Sequence, residues 1–238
     1  MPVELVFIHG WGFDASFWDP LCELLPPFPQ RRVDLGFFGA SGHAPLPAKT
    51  KGLVPPEGGT KLRFSLPPPP GGRKPVLVGH SLGFLHGVTV RQDWRGWVAI
   101  NGFVRFAEDG SGTGCMPAAD LRAMKMRLQK NPRDTLKDFY QSIEAKPLSN
   151  VPDAARLCAG LDELRDGDVA KTLAALDVPG LALAARNDPL VPVRASETLG
   201  QKASGGLLWH EDGGHNMPQS DAAWCARAIT DFLETSFA

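Results

Sequence analysis

The 238-residue sequence is poor in cysteine, with four residues scattered at 22, 115, 158 and 225 and no C-x-x-C pair. That spacing gives no disulfide framework and no zinc site, and predicts free thiols in a reducing compartment. No apolar run approaches the roughly 20 residues needed to span a bilayer, so no membrane-spanning segment is expected. No excess of either charge exists: Lys plus Arg number 25 against 26 Asp plus Glu, for a formal net charge of −1. Nucleic acids and anionic membrane surfaces demand a clear basic excess, so neither is an expected partner. The N-terminus, Met1-Pro2-Val3-Glu4-Leu5-Val6-Phe7-Ile8, has no basic n-region and no small-residue cleavage site, so a secretory leader is not expected and the reading is cytoplasmic. There is no internal repeat.

What is present is an ordinary globular composition, 43 % hydrophobic and 21 % charged, which argues against disorder. At this length one domain over residues 1–238 is expected. Four short apolar runs end in turn residues: Leu5 to Ile8, Pro75 to Val78, Trp97 to Ile100 and Gly180 to Ala185. Such runs fit strands buried on both faces of a parallel sheet. Weaker candidates lie at residues 31–35 and 207–209. Helical patterns cover residues 17–25, 82–92, 118–129, 132–143, 154–164 and 222–233. Alternating strands and helices predict an α/β protein with a doubly wound, mostly parallel sheet. Residues 103–170 break the alternation with helices and no convincing strand, and are expected to form a helical lid inserted after the strand ending near Ile100. Residues 44–75 are crowded with proline and glycine, and are expected to be an extended loop.

The segment carrying chemistry is Val76-Leu77-Val78-Gly79-His80-Ser81-Leu82-Gly83-Phe84. A strand feeds a G-x-S-x-G turn and a helix follows, the context of a nucleophile elbow. Two glycines leave room for a sharp turn that lifts Ser81 to a helix N-terminus, where a developing oxyanion is favoured. Serine needs a base, and the glycine-rich stretch Glu211-Asp212-Gly213-Gly214-His215-Asn216 after the last candidate strand supplies His215. Of the other histidines, His80 reads as packing within the elbow, His86 as a pocket wall, and His43 and His210 as loop and strand-end residues. Asp188, in Arg186-Asn187-Asp188-Pro189, follows the preceding strand and is the expected acid, with capping of the next helix as the competing role. Asp212 is the next candidate. The turn His9-Gly10-Trp11-Gly12 follows the first strand. With the elbow, it makes the backbone N–H groups of Trp11 and Leu82 the expected oxyanion donors.

These motifs resemble the α/β-hydrolase superfamily. Within it, the sequence is similar to the pimeloyl-acyl-carrier-protein methyl ester carboxylesterases of biotin synthesis. The similarity rests on His9-Gly10-Trp11-Gly12, Val33-Asp34-Leu35-Gly36-Phe37-Phe38-Gly39, the elbow, Asp188-Pro189-Leu190-Val191-Pro192 and Gly160-Leu161-Asp162-Glu163-Leu164-Arg165-Asp166. The resemblance implies an α/β-hydrolase fold, no cofactor or metal, and hydrolysis of an acyl ester presented on an acidic carrier protein. Phe84, where glycine is common after such an elbow, joins Trp11 and Leu82 as an expected substrate contact. The basic residues of 118–137, with Arg122, Arg127 and Arg133 foremost, are expected either to meet the carrier or to form a solvated face. A general carboxylesterase, a C–C bond hydrolase on the same triad, and a non-catalytic receptor or scaffold of this fold are the alternatives.

Overall fold

The computed structural model describes residues 3–39, 72 and 74–237. Six parallel strands form the central sheet: β1 (Leu5–Ile8), β2 (Gln30–Val33), β3 (Val76–His80), β4 (Gly96–Ile100), β7 (Gly180–Ala185) and β8 (Leu207–His210), in the order β2-β1-β3-β4-β7-β8. The inner strands β1, β3, β4 and β7 are buried at every position, as their unbroken apolar runs require. The expectation for residues 44–75 lies outside the described residues except at 72, 74 and 75, and His43 lies outside them too.

Helix α1 (Asp19–Glu23) is short, preceded by a 3₁₀ turn (Ala15–Trp18) whose start is capped by Asp14, so the helix expected at 17–25 divides in two. Helix α2 (Leu82–Val90) follows β3 and is buried from Leu82 to Val88. Between β4 and β7 lie α3 (Ala118–Lys130), α4 (Pro132–Ser142), α5 (Ala154–Asp166) and α6 (Ala170–Ala175). That insert also holds two strands the sequence did not announce, β5 (Ala107–Glu108) and β6 (Met116–Pro117), which pair in parallel. They are two residues each, too short to leave a periodic signal. The expected helices at 118–129, 132–143 and 154–164 are present with ends within two residues. Helix α7 (Val193–Gly200) is the helix expected after Asp188, whose bounds the sequence did not give because Pro189 and Pro192 mask its start; α8 (Met217–Ser220) is a single turn, and α9 (Ala222–Phe237) follows it.

The register aligns the strand ends that matter. Ile8 lies opposite Gly79, His80 opposite Ile100, and Ile100 opposite Leu183. The segments leaving β1, β3, β4 and β7 therefore emerge side by side at the C-terminal edge, where parallel α/β sheets place their sites.

Candidate active site

The elbow is built by what its neighbours cannot accommodate. Ser81 stands at φ 52°, ψ −124°, a conformation a non-glycine residue adopts only when its surroundings enforce it. A Cβ on Gly79 would lie 2.4 Å from Phe84 Cα, and one on Gly83 would lie 2.0 Å from the carbonyl oxygen of Ile8. Both glycines are thus required by backbone contacts, and they allow α2 to start directly against β1. The turn after β1 presses on the elbow from the other side: a Cβ on Gly10 would meet His80 Nδ1 at 2.7 Å and Ser81 Cβ at 3.3 Å.

His215 and Asp188 meet across the same edge. His215 Nδ1 donates to Asp188 Oδ2 at 2.8 Å, with both side chains 1 % exposed. A carboxylate only accepts, so the imidazole proton is on Nδ1 and the Nε2 lone pair is left available. The other oxygen, Oδ1, accepts from the backbone N–H groups of Leu190 and Val191 at 2.8 and 2.9 Å. Asp188 thus orders the turn after β7 with one oxygen and meets the histidine with the other, while the helix it was weighed as capping, α7 (Val193–Gly200), has Pro192 at its N-cap and no side-chain cap. Asp212 is exposed, and His86 is held by Glu163 of α5 at 2.6 Å.

Ser81 and His215 line one cavity with Trp11. The insert supplies Met116, Leu121, Met124, Phe139, Leu161 and Leu164 to its walls. Apart from Ser81 and His215, the lining is apolar, so it suits a methylene chain and offers a charged group no partner. Trp11 is fixed there by its indole N–H, which donates to the Leu157 carbonyl at 2.8 Å, and by an edge contact with Phe139 at 4.8 Å. Gly160 makes space for that ring, since a Cβ there would lie 2.7 Å from Trp11 Cδ1. The Tyr140 hydroxyl donates to the carbonyl of Gly12, so α4 grips the turn that carries Trp11.

The sequence matches the alpha/beta hydrolase family over residues 5–228. The chain belongs to that family. Among curated relatives, the pimeloyl-[acyl-carrier protein] methyl ester esterase of Vibrio campbellii is 29 % identical over 215 residues, covering 84 % of this chain and 82 % of the relative. The protein of the same name from Pseudoalteromonas atlantica is 30 % identical over 217 residues, covering 80 % and 78 %. Solved structures share the fold: an esterase from Exiguobacterium antarcticum has a TM-score of 0.73 at 15 % identity, covering 98 % of this chain and 92 % of that one. A bromoperoxidase from Bacillus anthracis has a TM-score of 0.77 at 16 % identity, with the same coverage.

In this hydrolase the remaining expected contacts separate. Leu82 opens α2 beside Ser81. Phe84 does not reach the cavity, which corrects the expectation for it: the residue is fully buried, its backbone abuts Gly79 and its ring packs on Trp97 at 5.2 Å. Three residues past Ser81, the helix has turned that position toward the sheet. Arg122, Arg127 and Arg133 are exposed on α3 and α4 and do not line the cavity, a placement that fits either a carrier-facing surface or a solvated one. The walls they would have approached are formed by the opposite, apolar face of α3, through Leu121 and Met124. Arg127 pairs with Asp138 at 3.3 Å, both 60 % exposed, an arrangement worth little to stability.

Two side chains in the site were not expected. His80 donates from Nε2 to the backbone carbonyl of His215 at 2.8 Å, and Asn101, after β4, donates to the same oxygen at 2.9 Å. The sequence signals only an Asn-Gly turn and a histidine beside the nucleophile; which atoms they reach depends on strands far apart in the chain. Among the described residues, no group of three or more His, Cys, Asp and Glu is arranged to hold a metal ion, and no helix is long and apolar enough to cross a membrane. The four cysteines are unpaired with one another.

Proposed function

We propose that the protein is a serine carboxylesterase in which Ser81 is the nucleophile, His215 the general base and Asp188 the residue that orients it, and that its substrate is the methyl ester of a pimeloyl chain on acyl-carrier protein. The observation that carries the reading is the Ser81 elbow sharing one apolar cavity with an imidazole whose Nδ1–H is engaged by a buried carboxylate. As Oγ attacks the ester carbonyl, Nε2 takes the hydroxyl proton, and Asp188 stabilises the imidazolium. The oxyanion is received by the backbone N–H groups of Trp11 and Leu82, the latter at the N-terminal end of α2. The imidazolium then protonates the departing alkoxide and leaves an acyl-serine. The same base activates water to release the free acid. Residues 103–170 act as the lid, since they supply most of the residues of the cavity wall. The choice of substrate is supported by the names of the relatives and by the apolar lining, which fits an uncharged acyl chain.

The test pairs hydrolysis of p-nitrophenyl butyrate by wild type and Ser81→Ala with rescue of a biotin-requiring strain that lacks its esterase. Ser81-dependent hydrolysis together with rescue is expected. Hydrolysis without rescue would remove the pimeloyl assignment and leave a carboxylesterase of other acyl specificity. Unchanged hydrolysis by Ser81→Ala would overturn the site itself. A further arm concerns the carrier: charge reversal at Arg122, Arg127 and Arg133 should slow turnover of the carrier-bound ester at low salt and spare small free esters, because exposed charges act mainly on association.

A further inference from the structure

The loop carrying His215 begins with Gly213-Gly214, the most conformationally free pair a chain can have, yet the imidazole must be held to a fraction of an ångström. What restrains it is one carbonyl with two donors. The His215 backbone oxygen accepts from His80 Nε2 and from Asn101 Nδ2. Because a carbonyl only accepts, the His80 ring proton resides on Nε2. The ring is fully buried and stacks on Phe17 with centroids 4.6 Å apart and planes at 28°. Burial, and then the neighbouring His215, hold it far below the ordinary imidazole range, so it is a fixed neutral donor. Asn101 Nδ2 also donates to the Gly214 carbonyl at 3.0 Å, while its Oδ1 accepts from the Ala185 N–H at 3.0 Å. Ala185 ends β7, three residues before Asp188. Asn101 itself sits at φ 46°, a left-handed position asparagine tolerates well.

We propose that His80 and Asn101 are positioning residues, a pair of buried donors that clamp the backbone of the base loop and set where the His215 imidazole stands relative to Ser81. The proposal rests on the reading of Ser81 and His215 as nucleophile and base. Its physical point is connectivity. His80 is the chain neighbour of Ser81, so any shift of the elbow carries the clamp with it and preserves the spacing between nucleophile and base. Asn101 ties the same loop to the strand that presents Asp188. The three triad segments are thereby joined through one carbonyl and one carboxamide.

The test uses His80→Phe, which keeps a stacking ring but has no donor, and His80→Gln, whose terminal amide restores an N–H at a similar reach. With p-nitrophenyl butyrate, His80→Phe should lose about 30- to 100-fold in kcat, in line with misplacement of a catalytic group by about 1 Å, with KM unchanged within about threefold. His80→Gln should recover at least about tenfold of that loss. A His80→Phe kcat within about twofold of wild type, or a His80→Gln enzyme as impaired as His80→Phe, overturns the clamp. Nitrogen NMR of the imidazoles in the wild-type protein at pH 7 decides the matter even where His80→Phe fails to fold: a neutral Nε2–H tautomer for His80 supports the clamp, and an Nδ1–H tautomer or a charged ring overturns it. Ser81→Ala measured alongside separates the two failures. Loss of activity there with an unaffected His80→Phe sinks the clamp alone, whereas retained activity sinks the reading of the site on which it rests.

Discussion

Replacing Asp188 by asparagine reverses one proton and little else. In the wild-type structure Oδ1 accepts from two backbone N–H groups, Leu190 and Val191, while Oδ2 accepts from His215 Nδ1. An asparagine must keep its carbonyl oxygen on the Oδ1 side, because its amino group there would face two donors. Its amino group then points at His215 Nδ1 and requires a lone pair on that nitrogen. The imidazole proton moves to Nε2, the atom that must accept from Ser81, and the base is disabled by its tautomer. For a triad the expected loss is about 10⁴ in kcat, which at about 1.36 kcal/mol per decade is about 5.4 kcal/mol of transition-state stabilisation. The fold should hardly register the change, since both turn bonds remain. Asp188→Ala, by contrast, loses those two bonds as well. It should melt several degrees lower, at about 2–4 °C per kcal/mol for a chain of this size, while being no less active than the asparagine variant. Steady-state hydrolysis of p-nitrophenyl butyrate and a thermal melt on the same preparations suffice. A loss under about tenfold in a well-folded Asp188→Asn protein would refute the tautomer argument and leave Asp188 as a turn cap, with Asp212 the next acid to test.

Gly83→Ala should yield inactive or insoluble protein, because the added methyl would lie 2.0 Å from the Ile8 carbonyl and 2.5 Å from that of His9, whereas Gly214→Ala, with nothing within 4 Å of the added methyl, should keep activity within about twofold; expression and turnover of the pair check this. Tyr140→Phe leaves the buried Gly12 carbonyl without its hydroxyl donor, so it should cost about 1–3 kcal/mol in denaturant unfolding and lower kcat through the turn that carries Trp11. Burial pushes the Cys22 thiol from its ordinary value near 9 up to about 11, with the Arg32 guanidinium opposing. The thiolate is therefore favoured in the unfolded chain. Stability should be fully present below about pH 9 and fall as the pH rises toward 11, a decline that Cys22→Ala should flatten in urea melts at pH 7 to 11.

The sequence by itself determined the inner strands of the sheet and the order of the motifs that meet at its edge. Inner strands are written as unbroken apolar runs because both of their faces are covered, so β1, β3, β4 and β7 were legible. The elbow was legible because its tight packing tolerates only glycine at 79 and 83, and steric demands of that kind are local. Asp188 and His215 could be named by their order after Ser81, and the structure brings their side chains into contact. Tertiary structure alone decided what depends on contacts between distant segments. That Phe84 turns into the core while Leu161 and Leu164 form the cavity wall follows from how α2 and α5 pack. That Asp188 divides its two oxygens between a turn and a histidine 27 residues away follows from the register of β7 against β8. His80 looked like filling and Asn101 like a turn residue because a hydrogen-bond donor carries no mark of its acceptor. Only the alignment of the ends of β3 and β4 beneath the base loop brings both donors to one carbonyl oxygen.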